Sequence, residues 1–194
     1  MFAYAKTFNQ PLSGWDVCRV TNMAEMFFCA SSFNQPLDTW NVSHVAYMSY
    51  MFYAASSFNQ PLATWDVQRI INMRPMFIDA SSVNQPLDTL DVRQGNNTKT
   101  ILNDASSFDQ PLSGWDVSQV TTMCGMFYHA SSFNQPLDTW DVRQVTDLRC
   151  MFNNAIVFNQ PLQTWMVQQS SLIDDMFAGA LAMQNSRPLV GDWR

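Results

Sequence analysis

Set out in rows of 25 residues, the chain repeats its apolar and polar positions column by column. One apolar set is a leucine, a tryptophan three later and a valine two after that. It reads Leu12, Trp15, Val17, then Leu37, Trp40, Val42, then Leu62, Trp65, Val67. After Leu87, Leu90, Val92 the pattern returns at Leu112, Trp115, Val117, at Leu137, Trp140, Val142 and at Leu162, Trp165, Val167. The Trp-x-Val step has a period of two. It predicts an extended strand with both side chains on one face and residues such as Thr39 and Asn41 on the other. A second apolar set has helical spacing: Met23, Met26, Phe27 and Ala30, led by Val20, and Met123, Met126, Phe127 and Ala130, led by Val120. The column ahead of it holds Asn22, Asn72, Asn97, Thr122 and Asp147, residue types that cap helices, and Asn22 with Glu25 resembles a capping box. Tyr47 and Leu172 break that column, and Pro75 falls where a first helical turn would tolerate it.

Between the two sets lies the segment Ala-Ser-Ser-Phe-Asn-Gln-Pro-Leu. Its asparagine recurs at Asn9, Asn34, Asn59, Asn84, Asn134 and Asn159, with Asp109 in the remaining row. The serines end the helix by competing for backbone groups, and proline holds the preceding glutamine extended. Phe33, Phe58, Phe108, Phe133 and Phe158 are expected to stack inside. A buried asparagine column must be satisfied, so each is expected to bond its own turn and the neighbouring coil, with Asp109 tolerated beside a donor or water. A fixed period of this length marks stacked repeats. The predicted fold is an α/β repeat solenoid of 25-residue coils, leucine-rich-repeat-like, with a parallel β-sheet on one face and short helices on the other. Seven strand rows about 4.8 Å apart would give a sheet of roughly 30 Å. The solenoid is expected over residues 1–180 in about seven repeats, with residues 181–194 as a C-terminal cap or tail. Row 81–105 is degenerate: Leu90 replaces tryptophan, Gly95 valine, Thr98 methionine and Ile101-Leu102 the Met-Phe pair. Gly95, Asn96, Asn97, Thr98 and Lys99 read as a polar turn, so weak packing and mobility are expected there. The first coil lacks a polar cap and is expected to be covered by a partner, another copy or further residues.

Of the 194 residues, 47% are hydrophobic and 13% charged, enough apolar surface for a core. The net charge of -6 and the lack of a Lys/Arg stripe argue against nucleic acid and against docking on anionic lipid. No apolar run approaches the ~20 residues that cross a bilayer, so no transmembrane segment is expected. No basic stretch leading into an apolar one marks a signal peptide; the chain stays where it is made or is an internal or mature piece. Cys18, Cys29, Cys124 and Cys150 occupy four columns without CxxC spacing, so no zinc site is expected. Cys124 and Cys150 fall on adjacent coils, one column apart, where pairing is conceivable; free thiols are the plainer reading.

Candidate partner-binding residues fall into two groups. On the outer strand face, Asp16, Asp66, Asp91, Asp116 and Asp141 form a column with Asn41. Stacked like charges need an offset: neighbouring turn groups, the arginines Arg19, Arg69, Arg93 and Arg143, a cation or a basic partner. Satisfaction by turn groups is the simpler reading, and a straight column does not converge on calcium. Thr39, Thr64, Thr89, Thr139 and Thr164, interrupted by Gly114, form a second column on that face. On the expected helix face, His44, Tyr47, Tyr50 and Tyr53 depart from the repeat, and tyrosines within two turns are plausible anchors. Arg74 and His129 are further departures. Asn41-Val42-Ser43 and Asn96-Asn97-Thr98 match a short glycosylation pattern. Catalysis has no foothold: His44 and His129 lie in different columns of distant rows, and no phosphate loop exists. No enzyme activity, cofactor, metal or small-molecule ligand is expected.

Rows such as 108–127, from Phe108-Asp109-Gln110-Pro111-Leu112 through Trp115-Asp116-Val117 to Met126-Phe127, resemble the BspA-like class of leucine-rich-like repeats. This is the bacterial surface protein repeat of about 25 residues, also a domain of unknown function first noted in Mycoplasma lipoproteins. The resemblance covers residues 1 to about 180. It implies a surface, adhesion or protein-interaction module and names no ligand. Two functions are expected from these observations. One is a non-enzymatic protein-interaction module, acting as scaffold, linker or structural subunit of a larger assembly. The other is a cell-surface adhesin or receptor for host protein or glycan.

Overall fold

The computed structural model describes residues 1–73, 75–90, 92–93 and 98–183. Among them there is no helix, and the only strand-like pairings are isolated parallel bridges: Asn22 with Tyr47, Tyr47 with Asn72, Thr122 with Asp147 and Asp147 with Leu172. The expected α/β solenoid of parallel sheet and short helices is therefore incorrect. The chain instead winds through successive tight turns, and equivalent residues of neighbouring rows lie against each other.

The segment expected to be helical shows why. Met26 N–H closes a turn on Met23 O, Phe28 N–H on Glu25 O and Ala30 N–H on Phe27 O. The intervening N–H groups leave the coil: Met23 donates to Tyr47 O, Glu25 to Ser49 O, Phe27 to Met51 O and Cys29 to Tyr53 O. Backbone donors thus alternate between their own turn and the next coil. Two positions of this stretch take left-handed backbone in coil after coil. One set is Glu25, Tyr50, Thr100, Gly125, Cys150 and Asp175; the other is Tyr4, Cys29, Ala54, Asp79, Asp104, His129, Asn154 and Gly179. A left-handed residue every few positions forbids a right-handed helix. Pro75 stands in the first of these columns with φ fixed near −65° by its ring, so its coil must turn there differently. Met23, Met26, Phe27 and Ala30 still face inward and are buried, because three-residue turns bring them to one side much as a helix would.

The expected strand is also made of turns. Trp40 N–H closes on Leu37 O and Val45 N–H on Val42 O; both bonds recur in the rows of Trp65, Trp115 and Trp140, and the first recurs at Trp165. This edge is joined to its neighbour largely by side chains. The indole N–H of Trp40, Trp65, Trp115, Trp140 and Trp165 donates to the leucine carbonyl of the preceding coil, Leu12, Leu37, Leu87, Leu112 and Leu137, at 2.7–3.2 Å. At the third corner, Asn34 N–H and the Gln35 side-chain amide both donate to Asn9 Oδ1. The arrangement repeats along the asparagine column, and Asp109 fits it because its Oδ1 accepts Asn134 N–H and Gln135 Nε2, each at 2.9 Å.

Inside, Phe2, Phe27, Phe52 and Phe77 stack at 5.6–5.7 Å, and Phe8, Phe33 and Phe58 at 5.9–6.1 Å. Trp115, Trp140 and Trp165 stack at 6.3–6.4 Å. The spacing widens from the backbone-bonded side to the tryptophan edge, so the coils fan with the ladder of backbone bonds on the inside of the bend. Val83, Leu90 and Leu102 interrupt the three ring columns, yet each is buried. Thr98 is buried in the methionine column, and its hydroxyl donates to Thr122 O at 2.9 Å. Val83, Leu87, Leu90, Val92, Thr98, Ile101 and Leu102 of the degenerate row are therefore buried like their counterparts in other rows. Gly95, Asn96 and Asn97, where the polar turn was expected, lie outside the described residues, as does the span 184–194 of the expected cap.

Candidate functional site

Along the tryptophan edge Asp16, Asp66, Asp116 and the threonines are exposed and Asp141 is half-buried; the aspartates bond within their own turn, and Thr39 and Thr64 bond to the coil before. Asp16 Oδ1 accepts Cys18 N–H, Asp66 Oδ1 accepts Gln68 N–H and Asp116 Oδ1 accepts Ser118 N–H, at 3.0–3.2 Å. Asn41 does the same with Ser43 N–H and its hydroxyl. Asp141 accepts Arg143 N–H and a two-pronged bond from its guanidinium at 2.6 and 2.8 Å, which holds the carboxyl at about 2. Hydrogen bonds from Cys18 likewise lower Asp16. Thr39 and Thr64 donate their hydroxyls to Ser13 O and Asp38 O of the previous coil. Thr139 lines an open hollow of about 290 Å³ with Trp140, Asp141, Arg143, Thr164 and Met166. Asp91 lies outside the described residues. The first candidate group is thus one edge, with its Asp16, Asp66, Asp116 and Asp141 carboxylates turned to local bonds.

The second group divides. His44 sits near the same edge, exposed, its Nδ1 3.3 Å from the Ser43 hydroxyl. Tyr47, Tyr50 and Tyr53, expected on a helix, lie on the backbone-ladder side of the stack. Tyr47 is in the parallel bridges and 44% exposed. Tyr53 stacks on Phe28 at 4.6 Å, with Tyr50 6.1 Å away; Tyr4 leans on Phe28 at 5.2 Å. Tyr4 and Tyr50, at left-handed positions, are exposed beside the half-buried Phe28 and Tyr53, so an aromatic patch covers the first coils. The column of Tyr4 continues in polar residues. The His129 ring places Nδ1 2.9 Å from Asp104 Oδ1 and Nε2 3.0 Å from Asn154 Nδ2, one coil to either side. Asp79 precedes Asp104; it is exposed at the surface of the stack, and partial loss of solvent around it first, then the Asp104 charge, pushes its carboxyl up. Burial, with Asp79 next, raises the Tyr53 phenol.

Phe28, Asp79, Asp104 and Asn154 were not singled out from the sequence. The available signal was their columns: 28, 53, 78, 103, 128, 153 and 29, 54, 79, 104, 129, 154 change residue type from row to row, whereas Asn-Gln-Pro-Leu hardly changes.

The family described as "Mycoplasma protein of unknown function, DUF285" matches residues 1–90 and again residues 72–190. The chain belongs to this family. Two overlapping matches within one chain accord with DUF285 sequence recurring in rows, and the family description assigns no activity. No curated protein and no solved structure matches the chain. Among the described residues of this DUF285 chain, no helix is long and apolar enough to cross a membrane. Among them, too, no group of three or more His, Cys, Asp or Glu side chains could hold a metal ion, and all four cysteines are free.

Proposed function

We propose that this DUF285 chain is a non-enzymatic interaction module, a scaffold, linker or structural subunit of a larger assembly, and that its protein partner docks on the ladder side. One observation carries the reading. The positions that differ from coil to coil gather on that side around Phe28, Tyr50 and Tyr53, while Asp16, Asp66, Asp116, Asp141, Thr39 and Thr64 of the opposite edge are engaged in bonds within the stack. Tyrosine presents a large, rigid, amphipathic contact at low entropic cost, which suits an anchor. Repetition argues against catalysis, because a reaction site needs unlike groups converging on one point. The resemblance to BspA-like repeats favours a second reading, a cell-surface adhesin or receptor for host protein or glycan; a signal peptide on the precursor would favour that one.

The test is affinity capture from the native source with three baits: the unaltered chain, Tyr50→Ala/Tyr53→Ala, and Thr39→Ala/Thr64→Ala. A protein retained by the first and third baits and lost from the second supports the reading. Retention by all three rejects the ladder side as the docking surface.

A further inference from the structure

Building on that reading of the ladder side, we infer that its aromatic patch takes a cationic peptide segment, one that sets an arginine or lysine against Asp79 and the Tyr53 ring. The patch has the parts such a side chain requires. Tyr53 lies flat on Phe28, 6° from parallel, which fixes its plane, and Tyr50 stands tilted beside it, 38% exposed. Tyr4, 69% exposed, extends the aromatic surface by one coil. Carboxylates bound it: Glu25 precedes Tyr50 in one column, and Asp79 and Asp104 follow Ala54 in the next.

The carboxylates differ in how they are satisfied. Asp104 has the His129 ring at 2.9 Å. Asp79 is exposed and, among the described residues, has no ion pair; its backbone N–H is engaged with Asn103 O. It therefore faces Asp104 one coil away with its charge uncompensated, beside an aromatic ring, on a chain of net charge -6. An incoming guanidinium relieves the repulsion between the two carboxylates and lies along the rims of Tyr53 and the exposed Tyr50, since Tyr53 already has a face on Phe28. An anionic partner would meet like charge here. A neutral sugar could stack on the rings but would leave the Asp79 charge unanswered. The tryptophan edge differs: its Asp141 already holds Arg143, its Asp16, Asp66 and Asp116 bond their own turns, and its exposed Asp38, Asp88 and Asp138 stand beside Trp40, Leu90 and Trp140, which are buried and present no open ring.

The probe is N-acetyl tetraarginine amide, titrated into the full chain and followed by calorimetry and by the NMR signals of the tyrosine rings. Tetraglutamine amide and maltohexaose serve as neutral comparisons. Saturable binding that moves Tyr50 and Tyr53 is expected for the arginine peptide alone. Asp79→Asn should weaken it about fivefold to tenfold, as loss of one charge-assisted contact does. Asp138→Asn makes the same charge change on the opposite edge and should leave affinity within about twofold if attraction is local rather than generic. Equal losses in the two variants, no saturable binding, or movement of the same rings by maltohexaose alone would each overturn the inference. The two readings separate in the capture experiment. A partner lost with Tyr50→Ala/Tyr53→Ala but held by Asp79→Asn refutes the cation and leaves the docking side standing; a partner held by every variant refutes both.

Discussion

Asparagine 59 tests whether the side-chain ladder at the third corner holds the coils together. Its Oδ1 accepts Asn84 N–H at 2.9 Å and the Gln85 side-chain amide at 3.2 Å. Gln85 also reaches Asn59 O at 3.2 Å, so it keeps a partner when the side chain is removed. Asn59 N–H is independent of the change, since it donates to Asn34 Oδ1. The cost of Asn59→Ala therefore concentrates on one half-buried amide left without an acceptor, about 2 kcal/mol. For a chain of this size that corresponds to a fall in Tm of roughly 4–8 °C. Asn59→Asp keeps the acceptor, as the natural Asp109 does with Asn134 N–H and Gln135 Nε2, and should stay within about 0.5 kcal/mol. Calorimetry at pH 7 gives the Tm values, and hydrogen exchange at the Asn84 amide reports the local effect. An unchanged Tm in Asn59→Ala, or an equal fall in Asn59→Asp, would refute the reasoning.

Two further outcomes are expected. Ala54 holds φ 52° where other coils carry Gly179 and a set of strained residues. Relief of about 1–2 kcal/mol of left-handed strain, less the roughly 0.5–1 kcal/mol that glycine costs in the unfolded chain, should leave Ala54→Gly about 0–1.5 kcal/mol more stable by urea unfolding; a loss of stability would count against the left-handed turn. Asp79 is raised from its ordinary 3.8 by partial loss of solvent and by Asp104, so the folded form binds the proton more tightly than the unfolded chain. Its contribution is full below 3.8 and is lost as pH rises through the folded value, which means that Asp79→Asn should raise stability at pH 7 and remove that part of the decline, as urea unfolding across pH 3–7 would show. A variant less stable than the native chain at pH 7 would sink this assignment.

Register and the inward columns were legible because burial depends on which residues recur, not on how the backbone joins them. Leu37, Val42, Met48, Phe52 and Phe58 face the core as their columns require. The asparagine ladder could be anticipated because a half-buried amide needs partners. The candidate site was less legible. Tyr50 and Tyr53 stood out by residue type, but Asp79 and Asp104 resemble ordinary surface carboxylates until the stack sets them in the column that continues from Ala54, next to Tyr53.

The secondary structure was misread for a specific reason. Between residues 23 and 30 the N–H groups of Met26, Phe28 and Ala30 each close a turn three residues back, while those of Met23, Glu25, Phe27 and Cys29 cross to the next coil. A backbone that does both puts Met23, Met26, Phe27 and Ala30 at helical spacing without any helix. The tryptophan edge makes the converse substitution: Trp40 and Val42 are two apart, as in a strand, but the bonds across coils come from the indole. Left-handed residues would have exposed the error had they been glycines. In most coils they are Cys29, Ala54, Asp104, His129 or Cys150, types that carry a Cβ and give no warning in the sequence. These strained conformations are over-determined from both sides. Each of those five N–H groups is held by the carbonyl of the following coil, and the residue after each, Ala30, Ala55, Ala105, Ala130 or Met151, is buried. A single coil cut from the stack would lose that support. The turn conformation is thus a property of neighbouring rows acting together, which the side-chain pattern within one row cannot encode.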